Sequence, residues 1–550
     1  HHELVRNGET DELNRDIHFT TAWFIQQRTN GQRFRLAQAE DLTHFRQGIA
    51  GIDDVFHDQY IFTTDVFFYC ILGVVAGMVI GTLPGLSATM AIALFLPLTY
   101  SMTPLMGMTC LVSVYIGGVS GGLISAILLR MPGTPSSVAT CFDGYPLTQK
   151  GQGMKALGVG IFYSFIGTIF SIIVLILLAP NLATLALKFG DYEYFSIAVF
   201  SLTMIATLSS GSMVKGLLSG LFGIAIGTVG MAPVDAAARF TFGSSQMKAG
   251  MDILPVLIGM FALSEIMVSA ETSAKKNQPQ LIQVSTKGVR GFGFTLKEFK
   301  EQLVNFLRSA LIGLGIGILP GLGGSTSNLL AYSSAKSHSK YPEKFGTGII
   351  DGVVATETSN NASVGGAMVP LLTLGIPGDM ATAMLLGGLM IHGLQPGPLL
   401  FKEEPVLMYG IFIAMIISSF VMLIEESAGL KVFVSLLKIP KHILLPIIFV
   451  LCVVGAFGLN NRLFDAYLVI AFGLIGYIFI KLKLPVAPMI MGFVLGDMVE
   501  THLRRAMMDS KGSWEPFFTR PISALFLVIT LLSIIYIAWK HIRQAKKSKA

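Results

Sequence analysis

Four Pro-Gly pairs stand within or beside apolar runs, and each is followed by hydroxyl, amide or carboxyl side chains. They are LPGLSATM (83–90), RMPGTPSSVAT (130–140), LPGLGGSTSN (319–328) and LGIPGDMATA (374–383). A helix broken at such a pair exposes unpaired backbone groups. Its new N-terminus carries free N–H groups and a partial positive charge, which suit a carboxylate. Freed carbonyls and Ser, Thr or Asn oxygens suit a small cation such as Na+. Candidate anion-site residues are Gly85, Ser87 and Thr89 at the first break, and Gly133, Thr134, Ser136 and Ser137 at the second. Gly323, Gly324, Ser325, Thr326 and Asn328 follow at the third, and Gly378 at the fourth. A polar run, ATETSNNASVGG (355–366), adds Asn360 and Asn361 just before an apolar stretch. Amides are costly in lipid, so both are expected to face the interior; the competing reading is an N-cap and loop. Candidate Na+ ligands are Ser87, Ser325, Asn361 and Asp379.

Several residues carry two readings. Asp379 fits a Na+ ligand or the cap of the helix after it. Arg130 fits a partner for a substrate carboxylate or an interfacial snorkelling residue. Glu265, Asp497 and Glu500 read as span-end residues, and His392 as structural. The four cysteines, Cys70, Cys110, Cys141 and Cys452, are far apart and form no C-x-x-C, so they read as small apolar side chains with no metal or redox site. No cofactor is implied beyond Na+ as coupling ion. The dipeptide Gly-Lys never occurs, which excludes a Walker A loop and with it an ATP-driven pump in this chain. One enzyme reading stands beside these. GVSG (118–121) fits the G-x-S-G pattern of rhomboid-like intramembrane proteases, with Ser120 as nucleophile and His392 as base. The repeat described below puts Val364 at the place of Ser120, which favours helix packing over catalysis.

The elements that must position these residues are membrane helices. Of 550 residues 52% are hydrophobic and only 13% charged, with a mean hydropathy of +0.66. A soluble chain carries about 25% charged residues, so this is an all-α polytopic membrane protein. The net charge of +6 comes from loops and the tail and does not point to nucleic acid. Spans are predicted near 62–83, 105–129, 155–180, 192–209, 213–231 and 252–270. Further spans are predicted near 302–320, 350–376, 404–424, 440–459, 463–481, 485–500 and 520–539. Interruptions in several of them make the total about 12 transmembrane helices. Residues 1–60 are polar, of mixed charge, and lie outside this core.

Three stretches recur in order. IGTLPGL (80–86) returns as IGILPGL (316–322), 236 positions on. GGLISAILLRMPG (121–133) returns as GGAMVPLLTLGIPG (365–378), 244–245 positions on. PVLIGMFALSE (255–265) returns as PMIMGFVLGDM (488–498), 233 positions on. This predicts a first repeat over 61–270, a basic cytoplasmic connector over 271–301, a second repeat over 302–500, and a final span with a basic tail over 501–550. Equivalent ends of the repeats fall on opposite sides, which makes them inverted, with paired Pro-Gly-broken or re-entrant helices. Irregular backbone at membrane depth survives only inside protein or beside a wet cavity. Paired breaks in inverted repeats mark the midplane site of secondary transporters.

The motifs GTLPGL, MPGTPSSV followed by DGYPLTQKG, Phe240 before TFGS (241–244), ETSNNASVGGAMVPLLTLGIPG and IHGLQPGPLLF carry a family resemblance over roughly 65–500. The chain resembles the large membrane subunit of the tripartite tricarboxylate transporters, the TctA family; residues 1–60 do not. The resemblance implies secondary active uptake of a citrate-like di- or tricarboxylate across a bacterial inner membrane, driven by an ion gradient, with Na+ favoured over H+. It implies two partners, a small four-span membrane subunit (TctB-like) and a periplasmic substrate-binding protein (TctC-like). A channel remains the alternative and would need a continuous lined pore.

Overall fold

The computed structural model describes residues 63–208, 213–275, 292–437 and 439–549. The N-terminal segment 1–60 and most of the connector 271–301 lie outside these residues. The described chain is almost wholly helical. Eight helices are long and apolar enough to cross a membrane, and several further helices are shorter or more polar.

The first group of helices is α1 (Thr64–Thr82), α2 (Ala88–Thr99), α3 (Pro104–Leu129), α4 (Thr140–Gln149), α5 (Gly153–Ala186), α6 (Asp191–Leu208) and α7 (Met213–Gly227). A short antiparallel strand pair follows, Gly230–Met231 with Ala238–Arg239. Next comes α8, made of Ile253–Leu257, a π-helical turn at Ile258–Leu263, and Ser264–Lys275. The second group is α9 (Leu296–Ile318), α10 (Gly323–His338), α11 (Ile350–Leu374), α12 (Met380–Ile391), α13 (Pro405–Leu436), α14 (Lys441–Asn460), α15 (Leu463–Lys481) and α16 (Val486–Asp509). The last long helix, α17, is Pro521–Lys549.

Local chemistry sets these boundaries. Thr103 caps α3, with Pro104 at its first position, where a missing N–H costs nothing. Thr295 and Glu298 form a capping box at the start of α9, as do Asp379 and Thr382 for α12. α1 ends where the N–H of Leu83 turns back to the carbonyl of Ile80, at 3.1 Å, ahead of Gly85 at φ +84°. α9 ends the same way, with Leu319 on Ile316 at 3.2 Å and Gly321 at φ +78°. α3 and α11 both end on a left-handed residue, Arg130 at φ 55° and Gly375 at φ 71°.

Packing repeats as well. On α1, Gly77 and Gly81 meet the carbonyls of Val114 and Gly118 on α3. On α9, Gly313 and Gly317 meet those of Ser359 and Ser363 on α11. These small residues four apart let the backbones touch, which is how helices associate where lipid offers no hydrophobic drive. The core is fully buried around α3, all of whose spanning window lies inside the protein.

Candidate functional site

Three of the four helix breaks and the middle of α11 meet in one locus. The N–H of Gly321 donates to the carbonyl of Gly378 at 2.7 Å, joining the third break to the fourth. Gly323 then packs on the Cβ of Asp379. Gly324 faces the second break and α11 at once: a Cβ built on it would lie 2.6 Å from Asn360 Oδ1 and 2.9 Å from Ser136 Cβ. Asn328 ties the same two breaks, since its Oδ1 accepts from the N–H of Ala139 at 2.9 Å. Within the second break, Thr134 and Ser136 share a hydroxyl hydrogen bond of 3.0 Å, and Ser137 bonds back to the N–H and carbonyl of Thr134. Ser325 and Thr326 lie half-buried on the first turn of α10. Gly133 and Gly378 sit where the chain returns against Gly81 and Gly317, respectively.

The first break stands apart from the locus. Ser87 caps α2 and donates to Glu265 Oε2 on α8 at 2.7 Å, while Lys441 Nζ donates to the carbonyl of Pro84 at 2.6 Å. Gly85 is exposed beside Lys441 and Ser269, and Thr89 is buried on the first turn of α2.

The two adjacent asparagines have different surroundings. The run 355–366 is no cap or loop: it lies inside α11, buried on every side. Asn361 is fully engaged. Its Nδ2 donates to Ser164 on α5 at 2.9 Å and to the carbonyl of Glu357 at 3.1 Å, and its Oδ1 accepts from Thr168 at 3.4 Å. Asn360 is fully buried, yet neither its Nδ2 nor its Oδ1 has a partner. Leaving such a group unpaired costs about 1–3 kcal/mol, so a buried amide of this kind asks for a ligand.

Asp379 does cap α12, accepting from the N–H of Thr382 at 2.7 Å, and its second oxygen accepts from Tyr115 on α3 at 2.6 Å. It also lines a narrow apolar hollow with Gly321, Phe261, Ala487, Ile490 and Met491. Of the Na+ candidates, Asp379 and Ser325 share the locus, whereas Ser87 is held by Glu265 and Asn361 by α5. Arg130 is exposed at the end of α3, with its guanidinium 6.0 Å from the Tyr145 ring.

Ser120 and His392 do not form a dyad. Ser120 donates to Glu426 on α13 at 2.7 Å. His392 lies against Gly107, 13 residues earlier on α3, which is about 20 Å along a helix axis. The protease reading loses its base.

Sequence reasoning missed Tyr115, Ser164, Glu426 and Lys441, and gave Glu265 no role. Glu426 carried a signal, an acid within a helix of spanning length, but its span was expected to end at 424 and α13 runs to Leu436.

Eight helices long and apolar enough to span, with helix breaks packed inside protein, define a multi-pass membrane protein. The family model for "Tripartite tricarboxylate transporter TctA family" matches residues 67–491. An uncharacterised 52.8 kDa protein of the TAR-I ttuC' 3' region of Agrobacterium vitis is 34% identical over 478 residues, covering 87% of this chain and 94% of that protein. An uncharacterised protein of the TAR-II ttuC' 3' region of the same organism is 37% identical over 231 residues, 42% of this chain and 96% of that one. No solved structure matches. The chain belongs to the TctA family and is a component of a tripartite tricarboxylate transporter.

Proposed function

We propose that this chain moves a citrate-like carboxylate inward across the bacterial inner membrane by alternating access, driven by an ion gradient in which Na+ is the coupling ion. A periplasmic binding protein delivers the substrate, and a small four-span subunit completes the membrane complex. The observation that carries this reading is the buried, unpartnered amide of Asn360, facing the first turn of α10 across from the second break. An anion there would meet the free N–H groups of the α10 N-terminus and the hydroxyls of Thr134 and Ser136. Asp379 and Ser325 are the candidate oxygen ligands for Na+ at that locus.

The two halves, 61–270 and 302–500, act in this reading as inverted repeats around that site. The matched turns at Leu83 and Leu319 and the matched glycine contacts of Gly81 and Gly317 support it. One repeat-derived unit then moves against the rest, exposing the site to either face in turn. The two states need differ by only a few kcal/mol for a ligand to shift them.

The test is uptake into proteoliposomes holding this chain, the small subunit and the binding protein. Replacing Na+ by choline at constant pH should collapse uptake; undiminished uptake would remove Na+ coupling in favour of H+, and non-saturable flux would favour a channel. Asn360→Ala should cut uptake at least tenfold with membrane abundance kept. Asn361→Ala should lower both, because its amide joins α11 to α5. Normal uptake in Asn360→Ala would remove the site.

A further inference from the structure

Two fully buried carboxyl groups that enter no ion pair among the described residues lie outside the locus above. Glu357 on α11 and Glu426 on α13 are both fully buried. Glu357 accepts hydroxyl bonds from Thr140 on α4 and, at 3.1 Å, from Ser164 on α5. Glu426 accepts from Ser120 through Oε2, and its Oε1 has no partner at all. Helices α3 and α5, which carry Ser120 and Ser164, each pack on both α11 and α13, so the two acids stand on helices that share their neighbours.

No positive charge answers them. The remaining titratable neighbours are Cys141 of α4, beside Glu357, and Glu425, next along α13 with Oε2 unpartnered. Lys155, the basic residue of α5, is committed to Glu298 at the far end of that helix. Asp65, Tyr69 and Cys70 on α1, Cys110 and Tyr115 on α3, and Tyr163 on α5 are the other titratable groups of the long helices packed on α13. The cations there are Arg130 at the end of α3, Lys431 on α13 and Lys402 on the short helix before it; all three are exposed and none pairs with either acid. On α9, which packs on α11, Arg308 donates to Asn305. No ion pair among the described residues includes either acid.

An ionised carboxylate buried without a counter-ion costs several kcal/mol. A neutralising cation is therefore required. A metal ion is poorly served, because no group of three acidic, histidine or cysteine ligands exists among the described residues. A proton needs only one free carboxyl oxygen, and Glu426 Oε1 is that atom.

We propose that Glu426 and Glu357 form a proton-binding site within the membrane, with Glu426 Oε1 as the atom that gains and loses the proton. The step is carboxylate plus aqueous proton giving carboxylic acid, with no other reactant. Glu357 connects this charge to the substrate locus. Thr140, which donates to it, opens the helix after the second break, and Asn328 Nδ2 reaches Thr140 Oγ1 at 3.5 Å while holding Ala139. Ionisation at the pair thus sets how firmly Thr140, and the break before it, is held. This rests on the transport reading for its purpose, but the site itself is testable without transport.

Dicyclohexylcarbodiimide reacts with protonated carboxyls in apolar surroundings. Purified wild-type protein in liposomes should be labelled on Glu426, located by peptide mass spectrometry. At the alkaline end labelling should fall about tenfold per pH unit, and excess Na+ at fixed pH should not protect. Glu426→Gln should abolish that label, and in the full complex should flatten the pH dependence of uptake seen in wild type. Labelling of Glu426 that is absent or independent of pH overturns the proposal. So does protection by Na+, which would make the pair a metal site. Labelling as expected with no carboxylate uptake by the full complex would overturn the transport reading and leave the proton site standing.

Discussion

α3 ends on Arg130 and the chain returns through Gly133 against the carbonyl of Gly81. In the second half, α11 ends on Gly375 and the chain returns through Gly378 against the carbonyl of Gly317. The two returns share their backbone and differ in their filling. Behind Gly133 stand three hydroxyl residues, Thr134, Ser136 and Ser137; behind Gly378 stands Asp379, capping α12 and accepting from Tyr115. The small residues set a frame common to both halves, and the polar residues make the two ends chemically unequal. A neutral, hydroxyl-lined end and a carboxylate-bearing end are what separate anion and cation sites would need.

The largest expected effect comes from breaking the frame. A Cβ on Gly378 would lie 2.6 Å from both Ala367 Cα and Gly317 O, and one on Gly133 would meet Gly81 O and, at 2.8 Å, Gly122 Cα. These are backbone contacts with nothing flexible to yield, so overpacking should cost about 1–3 kcal/mol or more. Gly133→Ala and Gly378→Ala should both lose most folded protein, measured as monodisperse material after detergent extraction. Gly315→Ala is the control, since a Cβ there meets nothing. If only one of the pair fails, the halves do not share a frame.

A smaller effect sharpens the chemical difference. Arg130 holds a left-handed backbone that costs a non-glycine residue about 1 kcal/mol, where the second half uses glycine. A side chain retained against strain suggests a use for it. Arg130→Gly should keep or raise thermal stability while uptake falls about tenfold, the worth of one charge-assisted hydrogen bond. Uptake at the wild-type level would make Arg130 an interfacial residue only. Gly375→Arg should destabilise instead, because a Cβ there lies 2.7 Å from the carbonyl of Pro396.

The breaks were legible because Pro and Gly act locally: a missing N–H and a positive φ end a helix whatever surrounds it. The long spans were legible from hydropathy, with ends such as 104–129 and 463–481 close to those expected. The short helices after the breaks were not. Gly323–His338 carries two serines, a threonine and an asparagine in its first six residues and reads as loop until it is packed on the second break. The count of about 12 spans included 192–209, 213–231, 302–320, 350–376 and 520–539, whereas among the described residues eight helices have the length and hydropathy of a span by themselves. Asn360 and Asn361 looked alike in sequence because a helix turns about 100° per residue. That rotation, fixed by the packing of α11 on α5 and α9, decides which amide is paired. Tyr115 and Ser164 gave no signal, being single polar tips in apolar runs whose partners lie far along the chain.

The smallest effect concerns a tie between the halves that lies outside the shared frame. Lys155, at the start of α5, pairs with Glu298 at the start of α9, at 2.6 Å. The two side chains are 28% and 41% exposed, so solvent screens the pair and about 0.2–1 kcal/mol is its expected worth. The Lys155 ammonium and the Thr295 N–H hold the Glu298 carboxyl below the usual glutamate range. A depressed carboxyl contributes stability above its unfolded value and loses it as pH falls through the folded one. The contribution should therefore be constant near neutrality and fade only below about pH 4.3. Glu298→Gln isolates the charge, because glutamine still completes the capping box with Thr295. That variant should lower the thermal midpoint by no more than a degree or two at pH 7, and the difference from wild type should shrink as the pH falls through the depressed value of Glu298. Glu298→Ala, which also removes the cap, should lose about 1 kcal/mol more at neutral and acid pH alike. A loss in Glu298→Gln as large as that in Gly133→Ala would mean that the junction of the halves, rather than the glycine frame within each, holds the fold together.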